Sequence, residues 1–153
     1  MGIHRFSRGA RPLARAFALC AIYEWLVTGE DMSVVDSNIL TLVTDGLDAD
    51  DFAKCDKEYY RELIVGISKE KSALENEIAA VLDRDLARVS FVERSVLLIA
   101  VYEMKNRLEV PYKVIINEAV QLAKVFGGND GYKYVNGVLD KLAHKLRPDE
   151  MKA

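Results

Sequence analysis

The sequence has few of the residues that build disulfide frameworks, metal centres or redox sites. It contains two cysteines, Cys20 and Cys55, and two histidines, His4 and His144. Their positions match no spacing of metal ligands or redox pairs. A nucleophile elbow, a phosphate-binding glycine loop after a strand and a zinc-protease helix are also missing. We therefore expect a protein that is not an enzyme and that needs neither a metal nor a cofactor.

Long apolar runs are missing as well. No stretch approaches the roughly 20 apolar residues that a membrane-spanning helix needs. The N-terminus carries arginines but lacks the apolar core of a secretory signal. Two cysteines with no partner pattern are most simply reduced thiols. Together these features predict a cytoplasmic protein that does not associate with a membrane.

Proline and glycine are scarce, with three and nine residues among 153, and strand-like alternation is rare. Apolar residues recur at helical spacings instead, which predicts an all-α protein. The length suits one domain. We expect two small bundles that share one core, residues 11–82 and 83–147. A flexible basic arm at 1–10 is expected before them, and a frayed tail at 148–153 after them.

Two predicted helices characterise these bundles. Residues 57–82 keep one apolar face along their whole length, which indicates a single long helix. Ser90 and Glu93 have the spacing of a capping box, and the helix after them is apolar nearly all round from Val96 to Val101. That second helix is the best candidate for the centre of the core.

Charge is unevenly distributed along the chain. The net charge of −3 argues against a generally basic nucleic-acid-binding protein, but residues 1–15 contain four arginines and no acid. Arg11 and Arg15 are neighbours on one helical face if the first helix begins early enough. Cations at a helix N-terminus oppose the helix macrodipole, and this conflict favours a use such as phosphate binding. The alternative is a solvated helix end without a role.

Residues 110–142 indicate two helices joined by a glycine-rich turn. Gly127 and Gly128 are expected to end the first helix in the left-handed conformation. Asn129 or Asp130 is expected to cap the second helix through its side-chain oxygen.

Two lysines and two tyrosines flank this turn: Lys124, Lys133, Tyr132 and Tyr134. Such a combination suits single-stranded RNA, because basic groups bind its phosphates and aromatic rings stack its bases. Tyr132 and Tyr134 are two residues apart and point to different sides of a helix, so at most one belongs to the core. The alternative is a helical hairpin that only closes the fold.

Four segments of the chain together resemble the NusB family of transcription antitermination proteins. They are ARPLARAFALCAIYEW at 10–25, ERSVLLIAVYEM at 93–104, VPYKVIINEAVQLAKVFG at 110–127 and KYVNGVLDKL at 133–142. The resemblance covers nearly the whole chain, although the acidic region 28–56 contributes little to it.

The resemblance implies a single all-α domain of two orthogonally packed three-helix bundles, with about seven helices in all. It also implies a non-catalytic RNA-binding factor. Proteins that resemble this chain pair with ribosomal protein S10 (NusE) and bind the single-stranded boxA element of nascent RNA, notably ribosomal RNA. The pair nucleates an antitermination complex on RNA polymerase.

The same resemblance implies roles for individual residues. Six are expected at RNA-binding positions: Arg11, Arg15, Lys124, Asp130, Lys133 and Tyr134. The arginines match an arginine-rich motif that contacts phosphates, and Lys124 is a further phosphate candidate. Tyr134 stands where the family usually has phenylalanine and is expected to stack a base. Glu93 matches an acidic position on the side that faces S10.

One departure from the family pattern concerns the arginine-rich motif. Pro12 and Leu13 interrupt what is often a run of consecutive arginines, and Arg5 and Arg8 are candidates to compensate. Two other functions stay open at this point. One is a protein-interaction scaffold, and the other is a subunit of an RNA-modifying enzyme, because a related helical module is fused to RNA cytosine methyltransferases.

Overall fold

The computed structural model describes residues 9–45 and 48–152. These residues are mostly helical and contain no strand, which confirms the all-α prediction. In this part of the chain there are nine α-helices and one 3-10 helix. The α-helices are α1 Ala10–Thr28, α2 Met32–Asp45, α3 Ala49–Lys54, α4 Lys57–Lys69, α5 Lys71–Ala79, α6 Phe91–Asn106, α7 Tyr112–Phe126, α8 Gly131–Leu146 and α9 Pro148–Met151; the 3-10 helix is Leu86–Arg88. The arm predicted for residues 1–10 lies outside the described residues up to position 8, and Ala10 already belongs to α1.

Two compact units make up the fold, Met1–Lys69 and Glu70–Ala153. In the first, α1 packs against α2, α3 and α4. Phe17, Phe52 and Tyr60 form a chain of edge-to-face ring contacts, with centroids 5.0 and 5.8 Å apart. The Tyr60 hydroxyl donates to Asp36 Oδ1 at 2.9 Å, so this buried phenol has a partner. Gly29 ends α1 in the left-handed conformation, with φ of 73°, as its position predicts.

Helix α6 lies at the centre of the second unit. Every residue from Ser95 to Met104 is buried, and α5, α7 and α8 pack around it. Ser90 caps α6, since its hydroxyl oxygen accepts from the backbone N–H of Glu93 at 3.1 Å. The sequence-based predictions of this cap and of the central helix are both confirmed.

A buried arginine closes the other end of α6. Arg147 is 5% exposed and donates from Nε to the carbonyl of Met104 at 2.9 Å. Its Nη atoms donate to the carbonyls of Val110 and Arg107 at 3.0 and 3.1 Å. Glu150 forms an ion pair with it, and hydrogen bonding from Tyr112 N–H holds the pKa of Glu150 below its ordinary value. One guanidinium thus satisfies backbone oxygens that the helix end leaves without partners.

The structure differs from two expectations, the long helix over 57–82 and the frayed tail at 148–153. The long helix predicted over 57–82 is broken at Glu70, because α4 packs against α1 while α5 packs against α6. The break separates two compact units at Lys69–Glu70, whereas the predicted bundles divide after residue 82. Pro148–Met151 forms a helical turn held by Arg147 rather than a frayed tail.

Within the described ranges, no helix has the length and apolar character needed to cross a membrane.

Candidate nucleic-acid interface

The turn between α7 and α8 differs from its predicted geometry. Gly127 is extended, with φ of −88° and ψ of 175°, so it does not end α7 in the left-handed conformation. A side chain would nevertheless be excluded there, since a Cβ atom would lie 2.6 Å from the Ala123 carbonyl oxygen. The left-handed residue is Asp130, with φ of 63°. It precedes α8 without a side-chain capping bond, so the predicted cap by Asp130 is wrong, and its mostly exposed carboxylate pairs with Lys133 instead.

Three side chains lie around Tyr132, and together with it we name them the hairpin cluster: Lys124, Asp130, Tyr132 and Lys133. The Nζ atoms of Lys124 and Lys133 lie 4.9 and 6.0 Å from the Tyr132 ring centroid. Lys133 also pairs with Asp130 at 3.3 Å, with both side chains mostly exposed. An exposed ion pair of this kind contributes little stability and is readily exchanged for another anion. The cluster therefore presents two exposed cations beside one aromatic ring.

Tyr134 faces a different side of α8, as its two-residue separation from Tyr132 predicts. The Arg84 guanidinium carbon lies 4.4 Å from its ring centroid. Burial raises the pKa of the Tyr134 phenol, and the Arg84 cation partly opposes that rise. The hydroxyl is buried and has no hydrogen-bond partner among the described residues. The Tyr134 ring is thus already in contact with the Arg84 cation.

Arg11 lies at the start of α1 and is partly exposed. Its side chain is 41% exposed and lies 3.8 Å from Asp56 Oδ2. Its guanidinium carbon is 4.4 Å from the Tyr59 ring centroid. Asp56 also accepts from Tyr59 N–H at 3.0 Å, so it caps α4. Arg11 is therefore held in place by the beginning of another helix.

Arg15 occupies a different environment, although it shares a helical face with Arg11. It is only 3% exposed, and its guanidinium carbon lies 5.6 Å from the same Tyr59 ring. In this position the side chain supports packing between α1 and α4, and its predicted contact with a phosphate stays a prediction.

Glu93 contributes both to a helix cap and to the surroundings of the hairpin. The Ser90 hydroxyl donates to Glu93 Oε2 at 2.7 Å. A Cβ atom on Gly131 would lie 3.2 Å from Glu93 Oε1, so the first residue of α8 packs directly against this carboxylate. One carboxylate oxygen thus serves the cap of α6, while the other borders the hairpin.

Three contact residues were missed by reasoning from the sequence: Arg84, Tyr59 and Asp56. Asp56 carried a signal, because an aspartate three residues before Tyr59 at a helix start has N-cap spacing. No comparable local signal links Arg84 to Tyr134, since the contact depends on how the link after α5 folds back. Within each unit the structure assembles part of the predicted site: Arg11 and Arg15 around Tyr59, and Lys124, Asp130 and Lys133 around Tyr132.

Comparisons with known proteins agree with this architecture. A family model described as the NusB family matches residues 12–144. The transcription antitermination protein NusB of Paraburkholderia phymatum is 44% identical over 146 residues, covering 95% of this chain and 96% of that protein. The solved structure of T. maritima NusB superposes with a TM-score of 0.76 at 28% identity, covering 94% of this chain and 97% of the other.

A second solved structure has the same fold at lower identity. It is described as antitermination factors NusB and NusE in complex with double-stranded RNA, and it matches with a TM-score of 0.72 at 22% identity. The match covers 95% of this chain and 99% of that one. With a family model spanning most of its length and relatives at this level of identity, the chain belongs to the NusB family.

Proposed function

We propose that this protein is a non-catalytic, RNA-binding transcription antitermination factor that works with ribosomal protein S10 (NusE). The observation that carries the proposal is the hairpin cluster, in which two exposed lysines flank a tyrosine ring in a chain of the NusB family. The ligand is the single-stranded boxA element of nascent RNA, notably ribosomal RNA. Its place of action is the cytoplasm, where such RNA is transcribed in bacteria.

The chemistry of each side chain assigns its role toward RNA. Arg11, Lys124 and Lys133 are solvent-accessible cations that bind phosphates, and the ion pairs of Arg11 and Lys133 are weak enough to be exchanged. Asp130 can only accept hydrogen bonds, so it faces an amino group of a base rather than a phosphate. Arg15 supports the position of Arg11 through Tyr59, and reaches a phosphate only if its side chain leaves this packing.

Tyr134 contributes to base recognition together with Arg84. A base can stack on an aromatic ring or on a guanidinium plane. Because the Arg84 guanidinium lies over the Tyr134 ring, these two side chains act as one stacking unit toward the RNA.

S10 binds on the side that bears Glu93. The protein is acidic overall, with a net charge of −3, and acidic surfaces attract a basic ribosomal protein through long-range electrostatics. Since Glu93 also touches the first residue of α8, S10 bound there contacts the element that carries the hairpin cluster. The pair then assembles the antitermination complex on RNA polymerase.

The proposal is tested by measuring the affinity of the protein for fluorescent boxA RNA and for a scrambled RNA of equal length and composition. Each RNA is titrated with and without S10. We expect preference for boxA, and tighter binding when S10 is present. Equal affinities for boxA and scrambled RNA would contradict sequence-specific binding. S10 capture that survives nuclease treatment, without any boxA preference, would instead support a protein-interaction scaffold.

A further inference from the structure

A groove runs along the outer side of the α7–α8 hairpin and has a volume of about 480 Å³. Ile116 and Val120 provide apolar lining on α7, and Asn117 and Asn136 project from the two helices. Tyr112 and Tyr132 also line it. Because α7 and α8 are antiparallel helices joined by a short turn, Tyr132 lies at the end next to the turn and Tyr112 at the other end. We name this feature the α7–α8 groove.

The groove continues into the hairpin cluster. Tyr132 and Lys133 line it, and Tyr132 also lines a second cavity of about 420 Å³ together with Lys124 and Asp130. Tyr132 therefore stands where the two cavities meet. A strand bound at the hairpin cluster passes this ring if it extends toward Asn136.

We infer that the α7–α8 groove is an additional RNA subsite, which holds one or more nucleotides flanking boxA. The inference rests on the proposed function and extends it to residues outside the predicted site. Tyr132 and Tyr112 stack bases, Lys113 binds a phosphate, and the amides of Asn117 and Asn136 hydrogen-bond to base edges.

The composition of the groove favours RNA over a protein segment. Lys113 and Lys133 give it two cations against the single carboxylate of Asp140, in a protein whose net charge is negative. Its apolar lining is interrupted by two amides that each offer donors and an acceptor, which suits the planar, polar-edged nucleobases. A tyrosine near each end is the arrangement by which single-stranded RNA is held through stacking.

The length of the RNA provides the first test. Affinity is measured for boxA RNA alone and for boxA lengthened by one to four nucleotides at either end. Lengthening at one end should tighten binding about fivefold or more, the effect of one stacked base. Asn136→Trp fills the groove from an exposed position and should abolish this gain while leaving the affinity for the short RNA unchanged. Lys141→Trp, an exposed site on the same helix outside the groove, is the matched control and should keep the gain.

Photocrosslinking provides the second test. With 5-iodouridine in each added nucleotide, irradiation should join the RNA to Tyr132 or Tyr112. Trypsin separates these tyrosines from Tyr134, because Tyr132 lies in the peptide 125–133, Tyr112 in 108–113 and Tyr134 in 134–141.

Several outcomes would overturn the inference. These are a length gain that persists in Asn136→Trp, no length gain at either end, or crosslinks confined to Tyr134 within peptide 134–141. Loss of S10 binding in Asn136→Trp, with the length gain intact, would assign the groove to S10. In each case, if the protein still binds short boxA RNA more tightly than scrambled RNA, the proposed function stands. If boxA is not distinguished from scrambled RNA, the proposed function itself fails.

Discussion

Tyr134 shows how one residue can serve both packing and binding. Its ring lies against Arg84, while its hydroxyl is buried without a partner among the described residues. A buried polar group left unpaired costs about 1–3 kcal/mol. The ring is therefore the part of the side chain available for RNA binding. The unpaired hydroxyl lowers the free energy of unfolding, and a phenylalanine at this position would avoid that loss.

Two substitutions of Tyr134 test the role of the ring and the role of the hydroxyl separately. Tyr134→Phe should leave boxA affinity unchanged and raise the free energy of unfolding by about 1 kcal/mol or more, because the unpaired hydroxyl is removed. Tyr134→Ala should weaken boxA binding by about 1–3 kcal/mol, the contribution of a stacked base. Urea denaturation and RNA titration measure the two quantities. A Phe variant that is destabilised by more than about 1 kcal/mol would show that the hydroxyl is hydrogen-bonded.

Arg11 provides a prediction about phosphate binding. Arg11→Ala should weaken binding of boxA and scrambled RNA to a similar extent, and should reduce the slope of log K against log salt by about 1. The matched control is Arg61→Ala, since Arg61 is another exposed arginine paired with an aspartate in the same unit. An unchanged salt slope in Arg11→Ala would remove Arg11 from the interface.

Single-residue roles were only partly predictable from the sequence. The exposure of Arg11 agrees with its position at a helix start among other arginines. The burial of Arg15 could not be foreseen, because it depends on Tyr59 from a different helix. Likewise, the left-handed turn residue is Asp130 and not a glycine. Aspartate tolerates that conformation better than most residues, so composition alone did not identify the position.

At the scale of elements, helix α6 is stabilised by side chains that hydrogen-bond to backbone groups at its two ends. Ser90 caps the beginning, and Arg147 satisfies carbonyls at and beyond the end. The cap at the beginning was predictable because it is local and has a known spacing. The contribution of Arg147 was not, because its acceptors belong to α6 and the following link, far away in sequence.

Arg147 should therefore be critical for the stability of the second unit. Lysine cannot reproduce the fork of donors that reaches several carbonyls at once, so Arg147→Lys should lower the free energy of unfolding by about 2 kcal/mol or more. The control Asp83→Ala removes an exposed ion pair with Arg84 and should cost less than about 1 kcal/mol. Urea denaturation followed by circular dichroism compares the two. Similar, small losses in both variants would contradict the role given to Arg147.

Glu93 and Ser90 allow capping to be distinguished from partner binding. Ser90→Ala removes the cap and should cost about 1 kcal/mol of stability with little effect on S10 affinity. Glu93→Gln keeps the side-chain shape while removing the charge, so it should weaken S10 binding more than it weakens the fold. Calorimetric titration with S10 measures the affinities. If Glu93→Gln binds S10 as tightly as the unchanged protein, the partner role of Glu93 is wrong.

At the scale of the whole molecule, the all-α fold was predictable because helical periodicity runs through nearly every segment. The division at Glu70 was not, because the apolar pattern continues across the break. Leu63, Ile64 and Ile67 are buried with α4, and Leu74 and Ile78 with α5, at spacings that one straight helix would also satisfy. Whether residues 57–82 form one helix or two depends on the helices that pack against each half, which are α1 for α4 and α6 for α5.

We propose that boxA RNA contacts two segments that are far apart in sequence, the start of α1 in one compact unit and the turn between α7 and α8 in the other. Nuclear magnetic resonance tests it directly, by following backbone amide shifts of the labelled protein during titration with boxA RNA. The largest shifts should fall in residues 10–15 and 124–134, and a scrambled RNA should cause smaller ones. Shifts absent from both segments, or equal for the two RNAs, would contradict the claim.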